Sequence, residues 1–123
     1  MIDHVGIAVA SYERSHAFFT AALAPLGYAP IAEYEGYAGF GRDGKPTFWI
    51  HQSPNPARSL HIAFRARSRE EVRGFHAAAL AAGAEDHGAP GIRAHYHAHY
   101  YGAFVLDLDG RNIEAVCHEA EGA

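Results

Sequence analysis

Residues His4–Ala24 read HVGIAVASYERSHAFFTAALA, and 57 positions later His61–Ala81 read HIAFRARSREEVRGFHAAALA. Aligned without a gap, His4 falls on His61, Ser11 on Ser68, Glu13 on Glu70 and Phe18 on Phe75. The run Ala21–Ala24 falls on Ala78–Ala81, which reflects alanine richness as much as kinship. Each copy opens with a strand. Val5, Ile7 and Val9 alternate with His4, Gly6 and Ala8, giving one greasy face and one sparse face. Each strand then meets a helix start. Ser11 is an N-cap candidate, and Ser68 with Glu71 matches the capping box. Helical spacing of apolar residues runs on to Gly27 and to Gly83, glycines suited to a helix stop.

Working outward, both copies end alike. Asp43-Gly44 and Asp109-Gly110 each sit between apolar stretches, and an Asp-Gly pair favours a tight hairpin turn because glycine tolerates positive φ. The expected hairpin strands lie near 37–42 and 46–52, then near 101–107 and 112–117. A further strand is expected over 28–35 and a weaker one near 85–88. The order is β-α-β-β-β, twice, so the expected architecture is an α+β fold of two βαβββ modules forming a curled mixed sheet around a central cavity. Module one spans about residues 1–53 and module two about 58–118, with Pro54–Pro56 as the link and residues 1–123 as a single domain.

Composition narrows the function classes. At 49% hydrophobic residues the chain has material for a packed core and is not a disordered segment. A net charge of −4 offers no clustered basic surface, so no nucleic-acid partner is expected. No apolar run approaches the ~20 residues of a membrane span, so no membrane partner is expected either. With Cys117 alone there is no internal disulfide, and the first residues lack a signal-peptide core, so the expected location is cytoplasmic. The chain lacks the phosphate-cradling P-loop pattern and the G-x-S-x-G nucleophile elbow.

Ten histidines in so short a chain require sorting, since imidazole is the commonest metal ligand. His4 and His61 occupy equivalent places on the sparse faces of their strands, beside Gly6, Ala8 and Ala63, although Arg65 shares that side. In the last strand Glu114 and Val116 face away from Ile113, Ala115 and Cys117. Two histidines and a glutamate are ligand types for a divalent cation with open coordination positions, and a cation would relieve the cost of burying a bare carboxylate. The plainer alternatives are two core histidines satisfied by backbone, and a Glu114 paired with Arg65. His95, His97 and His99 alternate with tyrosines in HYHAHYY. If that stretch is extended their imidazoles share one side, and they line the cavity mouth or a solvated loop. Asp107-x-Asp109-Gly110 lacks the spacing of a calcium loop and is a turn. His16, His76 and His87 are expected on the surface, and Cys117 is expected on the apolar side of its strand.

DHVGIAV (3–9), LHIAF (60–64) and above all YYGAFVLDLDGRNIEAVCH (100–118) resemble the vicinal oxygen chelate superfamily, which includes glyoxalase I, bleomycin-resistance proteins and extradiol dioxygenases. The resemblance covers essentially the whole chain. It implies paired βαβββ modules, a homodimer, and a divalent metal (Fe, Mn, Zn or Ni) held by His4, His61 and Glu114. A fourth ligand found in glyoxalase I falls, by the offset of the two Asp-Gly turns, on Phe48, or on Trp49 with one residue of slip. Neither binds a metal, and His51 does not match the distance from the turn. The remaining two-histidine, one-carboxylate set is the facial triad of non-haem iron oxygenases. The implied function is metal-dependent catalysis on a small-molecule substrate chelated through vicinal oxygens, a dioxygenase-like enzyme ahead of a glyoxalase-type isomerase or lyase. His97 or Tyr101 is expected to move a proton or grip the substrate. The alternative is a metal-free drug-binding and resistance protein of the same fold.

Overall fold

The computed structural model describes residues 1–121. In chain order the elements are β1 (Val5–Val9), α1 (Tyr12–Leu23), a one-turn 3-10 helix (Ala24–Leu26), β2 (Ala29–Tyr34), β3 (Tyr37–Arg42), β4 (Lys45–Gln52), β5 (His61–Arg65), α2 (Arg69–Ala81), β6 (Glu85–Ile92), β7 (Tyr101–Leu106) and β8 (Asn112–Cys117). They form two four-stranded sheets, ordered β1-β4-β3-β2 and β5-β8-β7-β6. In each, the opening strand runs parallel to the closing strand, which the intervening helix makes feasible. The repeat read from the sequence is therefore a repeat of structure.

Local chemistry starts both helices. Ser11 Oγ accepts the Arg14 amide and Ser68 Oγ accepts the Glu71 amide, each satisfying a donor that the first helical turn leaves free. The Glu71 carboxylate turns back to the Arg67 amide at 2.9 Å. The 3-10 turn that follows α1 ends at Gly27: its amide donates to Ala24 O, and its φ of +81 turns the chain so that the Tyr28 amide reaches Leu23 O at 3.2 Å. Phe18 and Phe75, matched in the repeat, are both buried, and burial of such a ring contributes roughly 1.5–3 kcal/mol.

The greasy strand faces (Ile7 and Val9, Phe48 and Ile50, Phe64, Ile113 and Ala115) join the helices in one continuous buried cluster. Phe48 of the first sheet meets Phe64 of the second edge-on, with ring centres 5.2 Å apart. Turning those faces toward a common core forces the sparse faces outward. The two sheets accordingly stay separate and are not closed on one another.

The two hairpins differ in a way that governs everything on the open faces. Asp43 and Gly44, with φ of +58 and +77, form a two-residue turn between the paired Arg42 and Lys45. The second turn is longer. Leu106 pairs with Asn112, Asp107 N donates to Arg111 O at 2.9 Å, and Gly110 takes φ of +83. The first hairpin compensates with a bulge, since Phe40 pairs with Phe48 but Gly41 pairs with Pro46. Gly41 is required there, because a Cβ would stand 1.9 Å from Lys45 O.

Strand β6 runs to Ile92, beyond the expected 85–88, with two irregularities around Gly88, whose φ is +153. Its glycines and proline hide the strand pattern from a sequence reading. The HYHAHYY stretch is not extended. Tyr96 N donates to Arg93 O, Tyr100 N to His97 O, and Arg93 N to Tyr100 O, which folds the segment into successive turns.

One buried ion cluster ties the modules together. Arg111, with no exposed surface, contacts Asp107 at 3.3 Å and Asp109 at 2.7 Å, and donates through both Nη atoms to Ala8 O at 3.0 and 2.8 Å. Asp109 also accepts the Ala10 amide at 3.2 Å. Removing one member of such a cluster strands the others without solvent. Arg111→Met is expected to lower unfolding free energy by about 3–5 kcal/mol in urea denaturation. Gly41→Ala is expected to cost roughly 2–3 kcal/mol, read as a fall in Tm by circular dichroism, because the bulge must open.

Candidate functional site

Parity along the second sheet brings five residues to one open face. Ala63 pairs with Glu114 and Phe104 pairs with Glu114 across the other edge, so His61, Ala63, Glu114, Gly102 and Phe104 share that face. Tyr100, just before β7, continues the same alternation. The small residues leave room for what lies between the large ones. A Cβ on Gly102 would sit 3.2 Å from Glu114 Oε2 and 3.3 Å from a Tyr100 ring carbon.

Glu114 is 1% exposed. His61 Nε2 lies 2.8 Å from its Oε1, and the Tyr100 hydroxyl donates to its Oε2. The imidazole is half exposed. Burial, then the bond to Glu114, raises the Tyr100 phenol well above the ordinary tyrosine range, so Tyr100 remains a proton donor to the carboxylate at neutral pH. Arg65 is not the partner of Glu114; it reaches Glu119 at 3.2 Å. Among the described residues His61 makes no hydrogen bond to backbone.

His4 stands apart, immediately before β1 on the open face of the first sheet. Its Nδ1 is 2.7 Å from Asp3, which also receives Lys45 Nζ at 2.9 Å. Among the described residues no three His, Cys, Asp or Glu side chains come together as a metal-binding group. One chain therefore joins His61 with Glu114 and leaves His4 elsewhere.

The register also identifies the counterpart of Glu114. Gly6, equivalent to Ala63, pairs with Trp49. Of the two positions reached from the turn offset, the one with a residue of slip is the match, and the β3–β4 bulge supplies the slip. Trp49 has no atom that could replace the carboxylate.

Tyr101 and His97 occupy different surroundings from Glu114. Tyr101 pairs with Cys117 and faces α2, where the Arg69 and Arg73 guanidinium groups lie 5.0 and 5.8 Å from its ring centre and Arg73 donates to its hydroxyl at 3.3 Å. A two-residue Asp109-Gly110 turn would have put Tyr101 on the Glu114 side. The longer loop shifts the register by one and delivers Tyr100 instead. Tyr100 was missed for that reason, and only the true length of the second turn could have revealed it.

His97 Nδ1 accepts the His99 amide at 3.1 Å, which leaves the proton on Nε2, directed at His118 Nδ1 at 3.0 Å. Both imidazoles lie beside the Tyr100 ring, at 5.5 and 5.4 Å between centres. His16 and His76 are not free surface groups: each bonds to a carboxylate, Glu33 at 2.6 Å and Asp86 at 2.9 Å. His87 is exposed, and Cys117 lies buried on the apolar side of β8, as the alternation predicts.

No helix is long and apolar enough to cross a membrane. No protein of curated function matches the chain. Among solved structures, a glyoxalase/bleomycin resistance protein from Albidiferax ferrireducens T118 is 30% identical, with a TM-score of 0.83 over 94% of this chain and 97% of that one. A glyoxalase/bleomycin resistance protein/dioxygenase family enzyme from Burkholderia phytofirmans PsJN shares the fold at 20% identity, with a TM-score of 0.74 over 96% and 98% of the two chains. A glyoxalase-related enzyme from Fulvimarina pelagi does so at 17% identity, with a TM-score of 0.73 over 100% and 95%. The sequence model of one family matches residues 1–115, and with it the chain belongs to the Glyoxalase/Bleomycin resistance protein/Dioxygenase superfamily.

Proposed function

We propose that this protein is a metal-dependent enzyme acting on a small molecule that chelates through vicinal oxygens. The observation that carries the reading is Glu114: a carboxylate 1% exposed, set on an otherwise open face, with an imidazole on one oxygen and a phenol on the other. A buried carboxylate with so few donors is a costly arrangement that a cation would relieve. His61 Nε2 and Glu114 Oε1 suit a divalent ion such as Fe, Mn, Zn or Ni. The third donor is His4, and a homodimer supplies it. In that arrangement module one of one protomer lies beside module two of the other, so that each open face covers its counterpart and His4 approaches the His61–Glu114 pair. Twofold pairing would create two such sites per dimer.

Bound there, a divalent cation supplies Lewis acidity toward two neighbouring substrate oxygens. The chain's own groups do the rest. Tyr100 holds Glu114 Oε2, which restricts the carboxylate to Oε1 for any other partner and fixes its orientation. To act as a ligand through Nε2, His61 would carry its ring proton on Nδ1 and present the Nε2 lone pair. Gly6 and Ala63 keep the space beside the two histidines clear. His97, hydrogen-bonded to His118 beside the Tyr100 ring, would exchange a proton with, or grip, a substrate entering this corner. Tyr101, held by Arg69 and Arg73, is directed to the far side and supports the strand. The dioxygenase-type triad is favoured over a glyoxalase-type isomerase or lyase, because Trp49 occupies the place where a fourth ligand would stand.

A second reading, metal-free binding of a drug-like molecule, is supported by the aromatic surroundings of His4 and by the hydrogen bond that already satisfies His61 and Glu114. Metal analysis of purified protein separates the two. The enzyme reading expects one divalent ion per protomer, loss of that ion in Glu114→Gln and in His4→Ala, and a dimer by analytical ultracentrifugation. Metal-free protein that takes up none of Fe, Mn, Zn or Ni would favour the binder. Tyr100→Phe is expected to weaken metal affinity about 10- to 100-fold in isothermal titration calorimetry, with the fold retained.

A further inference from the structure

The open face of the first sheet is built from aromatic rings and glycines. A cleft of about 310 Å3 lies over it, lined by His4, Gly6, Tyr37, Trp49 and His51. That volume falls at the lower end of the roughly 300–1,000 Å3 typical of small-molecule sites. The rings are arranged before any ligand arrives. Tyr34 lies parallel to Trp49, with 10° between planes and 6.0 Å between centres, and Tyr37 stacks on His51 at 22° and 5.3 Å. The indole can lie down on the sheet because Gly39 offers no side chain beneath it; a Cβ there would stand 2.8 Å from Cζ2. Tyr34 and Tyr37 remain 68% and 50% exposed, so the rim of the cleft is aromatic as well.

We propose that the Trp49 shelf takes a planar aromatic ring of the ligand, stacked face-on against the indole. The direction of the ring's oxygen substituents, toward His61 and Glu114, rests on the reading given above; the stacking itself needs no metal. The geometry discriminates among ligand types. A cage for a quaternary ammonium surrounds its guest with rings at steep angles, whereas these pairs are stacked with nearly parallel planes. Rings already stacked favour a flat partner over a puckered one, since offset stacking maximises contact and suits the ring quadrupoles. The divergence of the repeat has the same sense: where module two places a carboxylate, module one places the largest aromatic side chain.

Trp49 is the sole tryptophan, so its indole N–H provides one unambiguous resonance. The full chain labelled with nitrogen-15 is titrated with 2,3-dihydroxynaphthalene, catechol, trans-1,2-cyclohexanediol and tetramethylammonium, once with zinc and once with EDTA. The planar probes are expected to shift the indole proton saturably upfield in both conditions, the bicyclic probe most strongly, while the other two leave it in place. Trp49→Leu is expected to weaken 2,3-dihydroxynaphthalene binding roughly tenfold and Trp49→Phe by less. Should the Leu variant not fold, the Phe variant and the wild-type panel still decide. Equal response to cyclohexanediol, saturation by tetramethylammonium, unchanged affinity in a folded variant, or planar binding that vanishes with EDTA each overturns the shelf. Zinc uptake that persists while planar probes fail removes the shelf alone. Planar binding without metal uptake removes the enzyme reading alone.

Discussion

Arg111 is the tie on which the arrangement of the two modules depends. Its guanidinium has no exposed surface, and its donors are divided among two carboxylates of its own turn and the carbonyl of Ala8 in the other module. A charge in that position is tolerated only because each neighbour is aligned to receive it. The cluster does two things at once. It closes the longer turn between β7 and β8, which sets the register of that hairpin, and it anchors the turn to the end of β1. The first effect decides which side chains stand beside Glu114. The second decides how the two open faces are held relative to the shared core.

From that register follows the division of labour between the modules. The copies match in strand order, helix caps and buried phenylalanines, and they differ where the closing strand crosses the opening one. There the second sheet carries Glu114, with His61 and Tyr100 on its two oxygens, and the first carries Trp49 over Gly39. A single fold has thus been used to present a polar donor set on one sheet and a cluster of stacked aromatic rings on the other.

Much of this was legible in residue order. The 57-residue offset, the Ser caps and the two Asp-Gly pairs announced the βαβββ repeat, and alternation placed His4, His61 and Glu114 on sparse strand faces. What escaped was of one kind. Tyr100 was hidden because the second turn is longer than its Asp-Gly pair suggests, and one residue of register moves every side chain to the opposite face. Trp49 emerged only as one of two alternatives because the bulge beside Gly41 is invisible in the alternation. The histidines of HYHAHYY alternate on paper, yet backbone hydrogen bonds within the segment make turns of it.

The sequence by itself determined the elements, their duplication and the faces on which the polar residues fall, because strand period, caps and turn glycines act over a few neighbouring positions. Only the tertiary structure decided that His61 and Tyr100 both meet Glu114 while His4 does not, and that Arg111 rather than an apolar contact locks the turn to β1. Those outcomes depend on register and on the packing of one module against the other, and both are set by contacts between residues up to about a hundred positions apart, where local pattern carries no information.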